Sequence, residues 1–396
     1  VLLAEDLKQH VVVLAGAGSG KTVLLRRLIE ETALLGIPSI VVDGANDLAR
    51  LGEPWPARPA SFSDEDAEKA ARYHAQTDVI VWTPGRSSGN PLHLGLIPDF
   101  AAVAQDPDEL TQTIAMTAST LAAMAGRKAD EKARAILHAA LRLFAQQGGG
   151  DLAALLDVLS DLPEAASLKI STARKVATAL TDSLRAAIQT NPLLHQEGEP
   201  LDPGVLFGVG SARPRVSVLS LVGLPGHDAP LQFVNQLAMT LFTWVKKNPC
   251  PPDRPLRGLL VIDEAKDFVP SQGSTPCKES LIRLAAQGRK YGLGVVFATQ
   301  APKSIDHNVI ANASTQFYGK ASSPAAIDTV EDQLRVRGGT NFRVASLPRG
   351  RFYLAGNGME APVKIAVPMC LSHHPASPPD EEGVLRRAQA SRASLQ

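Results

Sequence analysis

Apolar residues along this chain fall into two patterns, and their alternation organises the sequence. Short unbroken runs read as buried strands: Val11-Val12-Val13-Leu14, Ser39-Ile40-Val41-Val42-Asp43, Val79-Ile80-Val81-Trp82, Val216 to Val222, Leu259-Leu260-Val261-Ile262 and Val295-Val296-Phe297-Ala298-Thr299. Between them, apolar positions recur at helical spacing. Lys21 to Leu35 sets Val23, Leu24, Leu28, Leu34 and Leu35 near one stripe before Gly36 and Pro38 stop it. Ala229 to Lys247 follows Asp228 as an N-cap, and Lys278 to Tyr291 covers another helix. Strand, helix and strand in succession predict βαβ units, hence an α/β fold with a mainly parallel sheet.

From about Asp108 to Asn191 the pattern turns to Ala- and Leu-rich helical periods, punctuated by Gly148-Gly149-Gly150 and Pro163, without a convincing strand. The expected division is therefore 1–107 for the first part of the α/β core, 108–205 for an inserted helical subdomain, 206–368 for the rest of the core, and 369–396 for a tail. That tail, with Pro375, Pro378 and Pro379 and then mixed charge, reads as a linker leading into a helix or disorder.

Composition removes some functions and adds none. Lys plus Arg equals Asp plus Glu at 40 each in 396 residues, so a nucleic-acid site must come from local clusters or from assembled subunits. Cys250, Cys277 and Cys370 are isolated, fitting neither a disulfide framework nor a zinc pattern. No apolar run approaches the roughly 18 residues of a membrane span, and no signal-like segment is visible, which predicts a cytoplasmic chain without membrane attachment. The first strand arrives almost at once after Val1, as expected of a piece of a longer protein.

The first strand runs into Ala15-Gly16-Ala17-Gly18-Ser19-Gly20-Lys21-Thr22, a glycine-rich turn in P-loop spacing between a strand and a helix. The backbone N–H groups of Gly18, Gly20 and Lys21 would cradle the β-phosphate of ATP at the helix N-terminus, with Ala17, Gly18, Ser19, Gly20, Lys21, Thr22 and Val23 as the nucleotide-binding stretch. Lys21 should reach the β- and γ-phosphates and Thr22 should hold Mg²⁺. A glycine turn that only permits strand-to-helix packing is the plainer alternative. The Leu259 strand ends in Asp263-Glu264: Asp263 would orient the metal, and Glu264 could polarise the attacking water. Acid pairs at strand ends also serve as helix caps. Gln300 ends the Val295 strand and would lie beside the γ-phosphate if that strand sits between the P-loop strand and the Asp263 strand. Arg289, on a helix end before it, faces either solvent or a neighbouring subunit.

Together the P-loop, the VIDEAKDF segment ending at Phe268, GRKYGLGVVFATQ ending at Gln300, and VIANASTQFYGKASSPAAID ending at Asp328 resemble the HerA and FtsK group of P-loop ATPases. The likeness is closest to HerA-type proteins and covers most of residues 10–330. It implies a RecA-like, additional-strand (ASCE) P-loop NTPase fold and a homo-oligomeric, usually hexameric ring that moves double-stranded DNA. It also implies work beside a nuclease, such as NurA, or another effector. By position, the resemblance makes Arg289 a finger acting in trans. Two departures stand out. FtsK-like members have an arginine after the Asn-x-x-Thr turn, where this chain has Asn312-Ala313-Ser314-Thr315-Gln316, with Lys320 further on. HerA-like proteins carry a small β-barrel before the P-loop, and this chain begins too late to contain one.

Other residues read plainly. His10 is expected at the surface, Asp43 and Asp47 as turn residues, and His373 and His374 lack ligand spacing. Lys278, Arg283 and Lys290 form either a pore-facing basic surface or a solvated helix face. The resulting expectation is an ATP-hydrolysing ring motor of HerA type. Its rivals are a secretion or conjugation ATPase of the same superfamily and a nucleotide-gated scaffold for an effector complex.

Overall fold

Nine strands form a single sheet in the computed structural model, which describes residues 3–126, 130–194 and 198–395. In chain order they are β1 (Val11–Leu14), β2 (Ser39–Asp43), β3 (Asp78–Trp82), β4 (Arg215–Ser220), β5 (Gly258–Ile262), β6 (Leu293–Thr299), β7 (Thr315–Tyr318), β8 (Arg351–Ala355) and β9 (Val363–Ala366). Across the sheet they lie in the order β9-β8-β7-β1-β6-β5-β2-β4-β3. From β7 to β3 every pairing is parallel, and β8 and β9 close one edge antiparallel. The mainly parallel α/β fold expected from the unbroken apolar runs is thus present. Such runs suit a sheet covered on both faces, and every residue of β1, β2, β5, β6 and β7 is buried.

Two compact units make up the chain. One comprises residues 1–92 and 201–396 and holds the sheet; the other is residues 93–200. In the second unit, helices Pro107–Met124, Glu131–Gln146, Leu152–Ser160 and Ala173–Thr190 pack around Leu121, Ile136, Leu141, Leu155, Leu180 and Leu184. Asp130 and Asp151 cap the second and third of these by accepting from Ala133 and Ala154 N–H groups.

Some boundaries move for local reasons. The helix beginning at Lys278 ends at Gln287, and a tighter turn, Gly288–Tyr291, follows before Gly292 at φ +79°. Asp228 is the first residue of its helix and His227 stands at the N-cap. The Pro- and charge-rich stretch after β2 contains a helix, Asp64–Gln76, entered through a Ser63–Asp66 capping box. Of its residues only Tyr73 is buried.

Residues 369–395 are more closely tied to the core than a linker would be. On the helix Lys21–Leu34, Glu30 accepts from the Leu371 and Ser372 N–H groups at 2.6 and 2.9 Å. Arg26 donates to Ser372 Oγ and to the carbonyls of His373, Asp47 and Arg50. Helix Glu381–Arg392 then buries Val384 and Ala388, and Ser391 Oγ accepts from Val81 N–H on the edge strand β3. An exposed edge is thereby covered.

His10 is a correction to the surface reading: it is 1 % exposed, sits at φ +63° and accepts the Val295 N–H at Nδ1, 3.1 Å away. It ties the amino end of β1 to that of β6. Burial, with the nearby Arg289 charge, lowers its pKa from 6.5 to about 4. The unfolded chain therefore binds the extra proton between those two values, so this contribution to stability is intact above the unfolded pKa and lost as pH falls towards the folded one. By pH 5 the loss is about 2 kcal/mol. His10→Asn keeps an acceptor and tolerates positive φ, and it should flatten this slope in urea unfolding at pH 7 and pH 5. An unchanged slope would assign the titration elsewhere.

Candidate nucleotide site

The parallel strands deliver their carboxyl ends to one edge of the sheet, where β1, β6 and β5 lie side by side in that order. The strand before Gln300 therefore stands between the P-loop strand and the Asp263 strand, the arrangement on which its placement depended. After β1 the chain turns through Gly18 at φ +72° and Gly20 at φ +97°, and Gly20 is the N-cap of the helix Lys21–Leu34. A helix start leaves its first N–H groups without intrahelical partners, so this turn presents donors and a positive dipole end to any anion.

Two outlying segments brace the turn. Gly16 N–H donates to the Lys320 carbonyl just after β7, and Gly350 N–H donates to the Ser19 carbonyl, each at 2.8 Å. A Cβ on Gly20 would stand 3.1 Å from Gly350 N, whereas a Cβ on Gly18 would meet nothing within 4 Å. Sequence reasoning assigned neither brace, although Pro348-Arg349-Gly350 carries an ordinary turn signal.

Lys21, 6 % exposed, donates to Asp263 Oδ1 and, at 2.7 Å, to Glu264 Oε1. Gln300 Nε2 donates to the same Glu264 oxygen at 2.6 Å. Lys21, Asp263, Glu264 and Gln300 thus form one connected cluster from three neighbouring strands. Glu264 stands at φ +50°, a left-handed conformation unusual for a residue with a long side chain. Burial pushes its carboxyl up, but the Lys21 ammonium and the Gln300 amide outweigh that and hold it below the usual glutamate value. Asp43, fully buried at the end of β2, is pushed up to about 7 by burial and by the Asp263 charge. It accepts from Leu48 and Ala45 N–H groups. Asp43 thus shapes the turn after β2 as expected, and the Asp263 charge acts on both Asp43 and Asp47.

Oxygen donors are available for a hard cation and a phosphate. Ser19 Oγ, Asp263 Oδ2 and Glu264 Oε2 are buried without a hydrogen-bond partner among the described residues. No group of three or more His, Cys, Asp or Glu side chains among those residues could hold a metal on its own. Thr22 and one carboxylate fit the way Mg²⁺ is usually held, with phosphate and water oxygens completing its shell. Ala17 and Val23 flank the turn, Ala17 exposed and Val23 buried in the first helical turn.

Arg289 is not part of this cluster. It is exposed just before β6 begins, at the opposite end of a strand of seven residues, about 20 Å from Gln300 at the usual strand rise. Of the other basic residues, Lys278 is engaged by Asp306 at 3.0 Å and by the Pro270 and Gly273 carbonyls, whereas Arg283 and Lys290 are exposed. His373 lies beside Trp55 and Glu53, and His374 is lowered to about 4 by burial and then by the Arg26 and Arg349 charges.

No protein-family profile matches the chain. The DNA double-strand break repair helicase HerA of Sulfolobus acidocaldarius is 26% identical over 156 residues, which is 39% of this chain and 31% of that protein. The protein of the same name from Sulfurisphaera tokodaii is 29% identical over 113 residues, 28% of this chain and 23% of that protein. The chain therefore matches less than a third of the length of either relative. Among solved structures, the plasmid coupling protein TrwB in complex with a non-hydrolysable ATP analogue aligns with TM-score 0.57 at 16% identity, covering 97% of this chain and 92% of that one. VirB4 of Thermoanaerobacter pseudethanolicus aligns with TM-score 0.51 at 16% identity, covering 91% of this chain and 89% of that one. Those two likenesses are likenesses of fold. TrwB has also been solved with ADP and Mg²⁺. No helix among the described residues is long and apolar enough to cross a membrane.

The turn geometry separates its two glycines. Gly18→Ala forces a side chain into a left-handed position and should cost roughly 1 kcal/mol. Gly20→Ala must also push the Gly350 backbone aside, so its cost should reach about 2–3 kcal/mol. Urea unfolding midpoints of the two variants check the order, and equal shifts would remove the Gly350 brace from the argument.

Proposed function

We propose that this chain, a member of the HerA/FtsK superfamily of P-loop ATPases, hydrolyses ATP with Mg²⁺ as a cytoplasmic ring motor on double-stranded DNA. The ring is a homo-oligomer, hexameric as in HerA-type proteins, and it works with a nuclease or another effector. The observation that carries the reading is the single cluster of Lys21, Asp263, Glu264 and Gln300 at the edge of the sheet that also bears the glycine turn. The names of the relatives found by sequence, DNA double-strand break repair helicases, support duplex DNA as cargo.

In this reading the N–H groups of Gly18, Gly20, Lys21 and Thr22 hold the β- and γ-phosphates. The Thr22 hydroxyl and Asp263 would hold Mg²⁺, which would supply charge neutralisation to the phosphates when bound. Phosphate oxygens compete with the two carboxylates for the Lys21 ammonium, so nucleotide entry frees Glu264. An ionised Glu264, within hydrogen-bond reach of a water, takes its proton as the oxygen attacks the γ-phosphorus and the bond from that phosphorus to the β–γ bridging oxygen breaks, with ADP leaving. Gln300 keeps one Glu264 oxygen fixed and turns with it, which links the strand end to the state of the γ-phosphate. Arg289 stands too far from its own site to act there, and its exposure suits a role at a neighbour's site.

Two experiments follow. Duplex DNA should raise ATP turnover of the parent chain; Lys21→Ala should lose nucleotide binding, while Glu264→Gln should bind ATP and hydrolyse it at least about 100-fold more slowly. Parental turnover by Glu264→Gln would remove it as the base. Turnover indifferent to DNA, with nucleotide-dependent assembly, would favour a scaffold.

Arg289→Ala should bind ATP normally, assemble, and lose on the order of 10³ in rate, the range for a finger acting only in the transition state. Mixed with Lys21→Ala subunits it should regain part of its activity, because its intact P-loop can meet a neighbour that keeps the finger. Co-assembly without recovery at any ratio would make Arg289 structural or cis-acting.

A further inference from the structure

The turn Pro348-Arg349-Gly350 packs directly on the phosphate-binding turn, yet no role has so far fallen to its side chain. Gly350 N–H donates to the Ser19 carbonyl at 2.8 Å, and Gly350 O accepts from Val367 N–H at 2.9 Å, so the turn is pinned on both sides. Its neighbour Arg349 runs alongside: a Cβ on Gly20 would lie 3.8 Å from Arg349 Cγ. Gly20 is the residue from which the helix Lys21–Leu34 starts, so the root of the Arg349 side chain is fixed beside the donors that would hold phosphate.

We propose that Arg349 donates to the phosphate chain of the nucleotide bound in its own subunit, a cis-acting cation separate from Lys21 within the cluster and from Arg289 at the far end of β6. The assignment rests on the nucleotide reading above and deepens it. Three features carry it. The side chain is exposed, and its guanidinium has no hydrogen bond or ion pair among the described residues, so nothing competes for it. Its backbone is anchored to the turn through Gly350, so only side-chain freedom is lost when the guanidinium engages a ligand there. A planar guanidinium meets two phosphate oxygens at once, which a lysine at the same place does not.

Because Arg349 would hold ground state and transition state alike, its loss should appear in binding and in KM more than in kcat, the reverse of Arg289. The test titrates MgADP and MgATP into the parent chain, Arg349→Ala, Arg349→Lys and, as a control, Lys21→Ala, by calorimetry. Arg349→Ala should weaken both nucleotides by about tenfold to a hundredfold, the range for a charge-assisted contact, and Arg349→Lys should recover part of this. Melting temperature should stay at the parental value for both, as the side chain is exposed. Parental affinity in Arg349→Ala, alongside weakened binding in Lys21→Ala, overturns the proposal and leaves the nucleotide site standing. Absence of nucleotide binding by the parent chain overturns both, and that outcome is read from the parent's own titration.

Discussion

Parallel pairing of β6 with β1 on one side and β5 on the other is the constraint from which the site follows. The pairings set Leu14 beside Thr299 and Ile262 beside Phe297, so each strand stops at the same edge and its next residues emerge together. Both faces of these strands are buried, and a slip of one residue would turn every side chain to the other face and undo the packing on both. The glycine turn, Asp263-Glu264 and Gln300 are distant in sequence and adjacent in space because hydrophobic burial aligned the strands that carry them. The chemistry is then a matter of which polar residue follows each apolar run.

The same alignment gathers charges in a place where water is scarce, and the fold offsets this by pairing. Lys21 faces two carboxylates, and Glu264 is fixed further by Gln300. A buried pair of this kind contributes little net stability, and removing one partner is costly because the other remains desolvated. The helix beginning at Lys21 carries a second buried set on its next turns, Arg26 and Glu30, which engages residues 371–373. One helix thus positions the cluster at its start and anchors the C-terminal segment along its flank. Movement of the P-loop helix is resisted from both ends, which suits a turn that must present its N–H groups in fixed directions.

The central sheet was legible because its strands are unbroken apolar runs, and the glycine turn because φ values near +70° and +97° admit few residues other than glycine. Asp263, Glu264 and Gln300 could be placed at strand ends from spacing alone. Their shared hydrogen bonds could not, since those depend on which strand lies next to which. Strands β7, β8 and β9 were not among the runs read from sequence: β7 is Thr-Gln-Phe-Tyr rather than an unbroken apolar run, the burial of β8 is uneven, and β9 is largely exposed. His10 read as a surface residue because a histidine before a strand has no periodicity to betray burial, and only the neighbouring Val295 N–H explains it. Arg26 and Glu30 were given no role, and the segment they anchor, residues 371–373, lies more than 340 positions away in sequence. Contacts of that separation leave no local pattern to read.

The paired strands β1 and β6 also bear on how a ring would couple its subunits. Their carboxyl ends hold the P-loop and Gln300; at their amino ends His10 joins the start of β1 to Val295, and Arg289 lies close enough for its charge to disfavour protonated His10. A fully buried parallel pair is stiff along its length, because each residue is held by ladder hydrogen bonds and by packing on both faces. On the ring reading, Arg289 at a neighbour's phosphate and Gln300 at the subunit's own phosphate are the two ends of one rigid body. A small displacement at either end is then carried to the other without deforming the strands, and the neutral, buried His10 keeps the two strands moving together.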